Sequence, residues 1–492
     1  MHKLYFVLIL FIFSVGSGVS QSPQTLLLTL DEAMAKARTG SVDAEVALNR
    51  LRGAWWAYRS YKAELLPEIG FNATLPSYRK QYSAYMNNEG SYGFVPNNYL
   101  QMNGELTMSQ NIWLTGGSIA LTTSLDFYRQ LGSGSYNRFM TIPVALTITQ
   151  PLFGVNHVKW DRRIEPVRYR EAKAEFLSET EDVAATAMQL YFSLLMAREN
   201  MSIALQNSSQ AERLYEVAKE KREMGRISKN DLLQMELNLL DANKYLTDCE
   251  SSLKSNMFQL RTFLGFDENV EITPVIPTEM PSAAIEYSDA LERALANNSF
   301  AKRMLRRQLE ADYEVAKAKG AQREISVFAQ FGFTGTDHEL PRSYTNLKDN
   351  QVVEIGMNIP LVDWGRRKGK VKVAESNRRL VESQVRQEQQ QFSQNLFILV
   401  ERYGNQREQV ARARRADEIA SQRYATNVET YLIGKISTLN LNDSRVKKDE
   451  ARREYVNELY LFWNYYYQIR SLTLWDYSAG REIDFNLEMK EL

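Results

Sequence analysis

The sequence predicts a mainly α protein with a smaller β part, built as a duplicated unit of helix, strands and one very long helical hairpin. Three observations predict it. First, the stretch from Tyr215 to Leu233 recurs from Tyr424 to Leu441: Tyr215/Tyr424, Gly225/Gly434, Ile227/Ile436, Ser228/Ser437 and Leu232/Leu441 match at one common offset. Pro151-Leu152 and Pro360-Leu361 share that offset. Second, proline is absent between 167 and 273 and again after Pro360, so each Gly-basic-Ile-Ser break interrupts a long helical pattern. Third, segments of alternating apolar residues precede both long helices. A Gly just past a periodic stretch stops a helix, and a Ser a few residues on caps the next one.

Length and composition narrow the classes. The 492 residues would allow about three ordinary domains, but the duplication argues for two copies of one unit. Lys+Arg 60 against Asp+Glu 60 leaves no net charge, so a nucleic-acid surface is not indicated. His2, His157 and His338 share no ligand spacing, and Cys249 alone excludes an internal disulfide or a Cys cluster for zinc. No metal, no cofactor and no catalytic residue is expected: carboxylates are scattered and there is no glycine-rich phosphate loop.

The first 20 residues read as a secretory signal: His2-Lys3 is the basic start, Leu4 to Phe13 the apolar run, and Gly18-Val19-Ser20 the small residues before Gln21. The competing reading is a retained anchor, but a bilayer span needs roughly 20 apolar residues. No Cys follows the cleavage point, so no lipid is expected there. No later run is long and apolar enough for a transmembrane helix, which leaves a periplasmic, secreted or β-inserted chain.

The first repeat is expected over 21–273. Thr29 or Asp31 caps a first helix, and Asn49 to Leu66 continues as helix with Trp55, Trp56, Tyr58 and Tyr61 until Pro67. The period then changes to two. Up to four strands lie within 69–150: Ile69 to Leu75, Leu106-Met108, Ile119 to Phe127 after a Gly116-Gly117 turn, and Val144 to Ile148. Residues 77–103, rich in Tyr, Asn, Gly and Ser, read as a long polar loop. A helical hairpin over 154–264 turns at 225–228. On its return helix Leu239, Ala242, Leu246, Cys249 and Leu253 step by three and four, a coiled-coil seam on which Cys249 is a small buried hydrophobe.

Pro274, Pro277 and Pro281 mark a linker over 274–286. The second repeat, 287–476, restarts with a helix. Strands within 325–360 (Val327 to Phe333 and Val353 to Ile359) flank a polar loop at 334–350, and a hairpin over 365–475 turns at 434–437. Val371, Ala374, Val381, Val385, Phe392, Leu399, Tyr403 and Val410 keep heptad steps toward that tip. Aromatic runs at Trp55-Trp56 and Tyr460 to Tyr467 are expected to pack structurally, and 477–492 is a tail.

Each outgoing helix has about 70 residues, roughly 100 Å at the α-helical rise, too long for a compact domain. Its apolar seams are narrow and its other faces carry Gln, Glu, Arg and Ser, which suits a coiled-coil wall around water. Four to six strands cannot close a barrel alone, and lipid demands that every backbone group be paired. The protomer must therefore share a barrel with other copies. A mean hydropathy of −0.41 fits strands that present only one face to lipid.

These residues resemble the TolC-like outer membrane efflux proteins, or outer membrane factors, over nearly all of the mature chain. The resemblance rests on the duplicated Gly-x-Ile-Ser tips followed by Asp231-Leu-Leu and Leu439-Asn-Leu, and on the strand-to-helix segments Ile359-Pro-Leu-Val-Asp-Trp-Gly365 and Thr149-Gln-Pro-Leu-Phe-Gly154. It implies a homotrimer in the cell outer membrane: a shared outer-membrane β-barrel continued by a periplasmic α-helical coiled-coil barrel. Such a channel is a passive exit duct for tripartite efflux or type I secretion. A periplasmic adaptor protein and an inner-membrane pump, of RND, ABC or similar type, open it at the helical tips. The family usually has two strands per repeat. The extra hairpin at 103–127 therefore either enlarges the shared barrel or lies outside it, and the second is the expectation.

Gly225, Arg226, Ile227 and Ser228, with Gly434, Lys435, Ile436 and Ser437, would be the adaptor-binding tips; the plainer alternative is a helix-turn-helix corner needing Gly. Asp231, Asn440 and Asp443 would form a gate or selectivity ring, since carboxylates converging on a threefold axis favour cations. Asp231 could equally be an ordinary first-turn acid. The family's Arg-to-Asp lock positions hold Ile436 and Asn440, so any ionic lock must use other residues, Arg226 or Lys435 among them. Pro151, Pro360 and Asp363 read as structural strand-to-helix joints. The runner-up is a coiled-coil scaffold without a pore, which leaves the alternating segments unexplained. The resemblance does not select among drugs, metal ions, metabolites and proteins as cargo.

Overall fold

The computed structural model describes residues 24–86, 90–132, 134–322, 324–358 and 362–484. The expected signal at 1–20 and the Pro360 joint lie outside the described residues. In chain order the elements are β1 (Gln24–Leu28), α1 (Leu30–Gly40), α2 (Val42–Glu64), β2 (Glu68–Met86), β3 (Tyr92–Ile112), β4 (Gly117–Gln130), β5 (Asn137–Pro151), α3 (His157–Glu223) and α4 (Lys229–Leu264). Then follow β6 (Val270–Pro274), α5 (Tyr287–Asn297), α6 (Ser299–Gly320), β7 (Glu324–Asp337), α7 (Leu340–Ser343), β8 (Leu347–Asn358), α8 (Arg366–Leu432), α9 (Thr438–Thr473), β9 (Trp475–Asp476) and β10 (Arg481–Glu482). The duplication is metrically regular: α3 and α8 have 67 residues each, α4 and α9 36 each. Among the described residues, no helix is long and apolar enough to cross a membrane.

The chain divides into two compact units, and both draw on both repeats. One comprises the described part of Met1–Val46 with Glu179–Ile285 and Leu399–Ser471. Its core is made by Tyr191, Leu194, Leu195, Leu459, Phe462 and Tyr466, each at most 2% exposed, and burying a side chain of this size stabilises by about 1.5–3 kcal/mol. The aromatic run near the end of α9 belongs to this core, with Phe462 and Tyr403 at 5.3 Å between ring centroids. On the α4 seam Ala242 and Cys249 are buried, while Leu239, Leu246 and Leu253 are partly buried. Glu181, whose side chain is 3% exposed, is bracketed by Arg38 at 3.1 Å and Arg470 at 2.8 Å, so its buried charge is paired.

A parallel pair escaped the sequence reading. β1 lies beside β6 with Leu26 opposite Ile272, and the Tyr191 hydroxyl, 3.0 Å from the Leu28 carbonyl, ties α3 to it. The five residues Gln24–Leu28 carry no local mark of a partner some 240 positions away.

The other unit, Ala47–Ser178, Glu286–Ile398 and the described part of Leu472–Leu492, holds a six-stranded antiparallel sheet in the order β2-β3-β4-β5-β7-β8. Here two expectations are corrected. Residues 77–103 are not a loop: Ser77 to Met86 pairs with Tyr92 to Gln101 throughout. The Tyr and Phe residues of this stretch favour extended chain, and pairing to a neighbour decides the matter where pattern is weak. Residues 103–127 belong to this sheet, with β3 and β4 as interior strands paired from Tyr99↔Gln130 to Ile112↔Gly117. The 334–350 loop is shorter too, since β7 runs to Asp337 and α7 fills part of the return.

Two prolines fall where the ladder shifts. Pro76 sits in the break between Thr74 and Ser77, and Pro143 in that between Thr141 and Val144. A residue without a backbone N–H fits such breaks, where no ladder bond is lost. Helices of this unit join through ion pairs: Arg306 of α6 grips Glu171 of α3 at 2.5 Å, and Arg307 meets Glu388 of α8 at 2.7 Å. Trp56 is 54% exposed, so the Trp55-Trp56 pair is not core; the Arg59 guanidinium lies over both rings at 5.2 and 5.3 Å.

Candidate functional site at the helical tips

Both tips are closed by the same backbone device. In the first, Gly225 takes φ +69°; its N–H reaches the Arg222 carbonyl at 3.0 Å and the Arg226 N–H reaches that of Lys221 at 2.8 Å. In the second, Gly434 takes φ +78°; its N–H reaches Tyr431 at 2.9 Å and the Lys435 N–H reaches Thr430 at 3.1 Å. This crossed pair is the Schellman stop, and its left-handed residue is why Gly is needed.

Ile227 and Ile436 do not project outward. They pack with Tyr215, Leu232, Tyr424 and Val428 around a buried cluster of Leu214, Ala218, Met235, Tyr431 and Leu441, so both hairpins share one apolar core. Burial pushes the Tyr424 and Tyr431 hydroxyls up from the ordinary phenol range, Asp231 adding to the effect on Tyr431. Lys221 lies over the Tyr431 ring at 4.9 Å. A polar layer also joins the hairpins, with the Asn207 amide donating to buried Asp449 at 2.7 Å.

What the tips display differs from what the motif suggests. Gly225, Arg226, Gly434 and Lys435 are exposed. Beside them, Met224 is 62%, Ile433 67% and Leu439 75% exposed. Sequence reading assigned these three apolar side chains no role; their exposure singles them out.

The acidic positions are placed unequally. Asp231 closes a capping box: its carboxylate accepts from the Ser228 N–H at 3.1 Å and hydroxyl at 2.7 Å, while the Ser228 hydroxyl accepts from the Asp231 N–H at 3.1 Å. At the second tip Asn440 gives only one long contact, its N–H to the Ser437 hydroxyl at 3.4 Å. Asp443 is half-exposed and pairs with Arg423 of α8 at 2.8 Å. Arg423 had no sequence signal; it lies 20 positions upstream across the tip. Arg445 in turn holds Asn442 at 2.9 Å.

At the strand-to-helix joints, Pro151 is the last residue of β5 and pairs with Ser326. Asp363 starts α8: it accepts from the Arg367 N–H at 3.1 Å and the Gly365 N–H at 2.9 Å. Those two donors, in that order, hold its carboxyl below the usual range. Among the described residues no cluster of His, Cys, Asp or Glu could hold a metal ion.

The fold is that of outer-membrane channels. CmeC of Campylobacter jejuni is similar over 93% of this chain and 87% of its own at TM-score 0.65 and 15% identity. VceC of Vibrio cholerae is similar over 92% and 97% at 0.64 and 14%, and MtrE of Neisseria gonorrhoeae, in its open state, over 93% and 91% at 0.59 and 13%. Residues 118–266, from β4 through the first tip to the end of α4, match the family model described as outer membrane efflux protein. No curated protein sequence matches this chain.

Proposed function

We propose that three copies of this chain form a passive channel-tunnel in the outer membrane, the exit duct of a tripartite efflux or type I secretion system. One observation carries the proposal: an amphipathic sheet open at both edges is continued, on one chain, by two equal helical hairpins with the same tip. The sheet needs other copies to satisfy its edges. Leu233, Leu237 and Leu240, exposed at helical spacing on α4, give a neighbouring copy an apolar stripe to pack on.

In this reading the chain is exported after loss of 1–20, and the repeats 21–273 and 287–476 are joined by 274–286. A periplasmic adaptor protein, working with an inner-membrane pump, docks on exposed backbone at Gly225 and Gly434 and on Arg226 and Lys435, with Met224, Ile433 and Leu439 as apolar anchors. Ile227 and Ile436 build the corner from within, and the exposed Ser228 and Ser437 stand at the starts of the return helices. Asp443 faces the gate and Arg423 restrains it, whereas Asp231 serves the cap. The test is purification without boiling followed by planar-bilayer recording. A heat-modifiable trimer that conducts ions is expected; a monomer without conductance would leave the coiled-coil scaffold standing. Photo-crosslinkers at 226 or 435 are expected to capture the adaptor, and capture only from positions remote from the tips would overturn the docking assignment.

A further inference from the structure

The two open edges of the six-stranded sheet are β2 and β8. We propose that β2 of one copy pairs with β8 of the next, so that three copies close a barrel of eighteen strands with β2 and β3 as full members of its wall. The proposal rests on the trimeric channel reading above; it departs from the two strands per repeat usual in the family, which would give twelve.

The first ground is the continuity of both faces. Ile69, Met108, Leu121, Leu146 and Phe331 are successive cross-strand partners from β2 to β7; Phe331 itself faces Gln351 of β8, and the apolar face continues two residues along, where Ala329 faces Val353. One position along, on the opposite face, Glu68, Ser109, Ala120, Thr147 and Gln330 make a row of polar and small residues. Strands that alternate apolar and polar in one shared register are what a wall between lipid and water requires. A hairpin folded away from the wall would have no reason to keep that register or to expose Ile69 and Phe71.

The second ground is the edges themselves. The apolar face is about 40–45% exposed on interior strands (Met108 42%, Leu121 45%, Phe331 43%) but 64–70% on the outer two (Ile69, Phe71, Val353, Ile355). The outer strands lack one lateral neighbour each. They also run in opposite directions, because six strands is an even count, so rotation of a second copy brings β8 beside β2 antiparallel, as a ring of identical contacts demands.

The consequence is bore. At about 4.8 Å between strands and a tilt of about 40°, eighteen strands give a backbone diameter of about 36 Å against about 24 Å for twelve. Less about 10 Å of inward side chains, the opening is porin-sized, wide enough for a polypeptide segment. Selection by size then falls to the helical tips.

The test uses the full-length chain with Cys249→Ala as background. Native mass is measured first: a monomer overturns the channel reading and the barrel together. In the trimer, cysteines at 70, 72 or 74 of β2 are paired in turn with cysteines at 350, 352 or 354 of β8 and oxidised. Expected is a shift of the monomer band to three times its mass for at least one register. A second grid pairs 120, 122 or 124 of β4 with the same β8 positions, and no shift is expected. Covalent trimers from the β4 grid, or none from the β2 grid in a trimer that conducts, overturn the eighteen-stranded seam while leaving the channel intact.

Discussion

At the first tip Asp231 and Ser228 cap α4 from both directions, while at the second the same positions hold Asn440 and Ser437 and make a single 3.4 Å contact. The stop before each is nevertheless identical in bonding pattern, and the apolar core beneath them is shared. The difference lies in where each tip spends its acid. The first uses Asp231 locally, on its own helix start. The second frees that position and puts Asp443 one turn further in, tied across the hairpin to Arg423. A cap holds one helix, whereas an ion pair between helices can open without unfolding either. The second tip is therefore the one suited to move.

Four measurements would break or sharpen this contrast. The largest effect is expected where the tips agree: Gly225→Val and Gly434→Val each force a side chain into the left-handed region and should cost about 1–2 kcal/mol, read as a lower midpoint of thermal unfolding. Unequal losses would show that the two stops are not equivalent. Next, Ser228→Ala should cost about 1 kcal/mol as amide protection in the first turn of α4, and Ser437→Ala clearly less in α9. Equal losses would contradict the asymmetry of the caps.

Smaller again is Arg423→Ala. An exposed pair contributes about 0.2–1 kcal/mol and is screened by salt, so stability should barely change. Open-channel events in bilayers should rise at low salt, and by less at high salt. An unchanged opening frequency would deny the pair any role in closure. The smallest effect concerns Asp363, whose lowered folded value makes its contribution present above the ordinary 3.8 and lost as pH falls through the folded value. Protection at the start of α8 should drop on acidification below pH 3.8, and Asp363→Asn should abolish that drop.

The sequence by itself determined the hairpins. Long proline-free heptads, the Gly-basic-Ile-Ser breaks and the seam through Cys249 are local patterns, and a helix is made of bonds between near neighbours. Only the tertiary structure decided what those patterns face. Ile227 and Ile436 share a motif with exposed Arg226 and Lys435 yet turn into a core built by both hairpins. Arg423 and Asp443 meet only because the chain reverses between them. The sheet shows the same limit more strongly: Ser77–Gln101 is Tyr-, Asn- and Ser-rich and reads as loop until its two arms pair, and β1 finds β6 across most of the first repeat. Strands are stabilised by partners distant in sequence, so their existence, extent and order are properties of the folded chain.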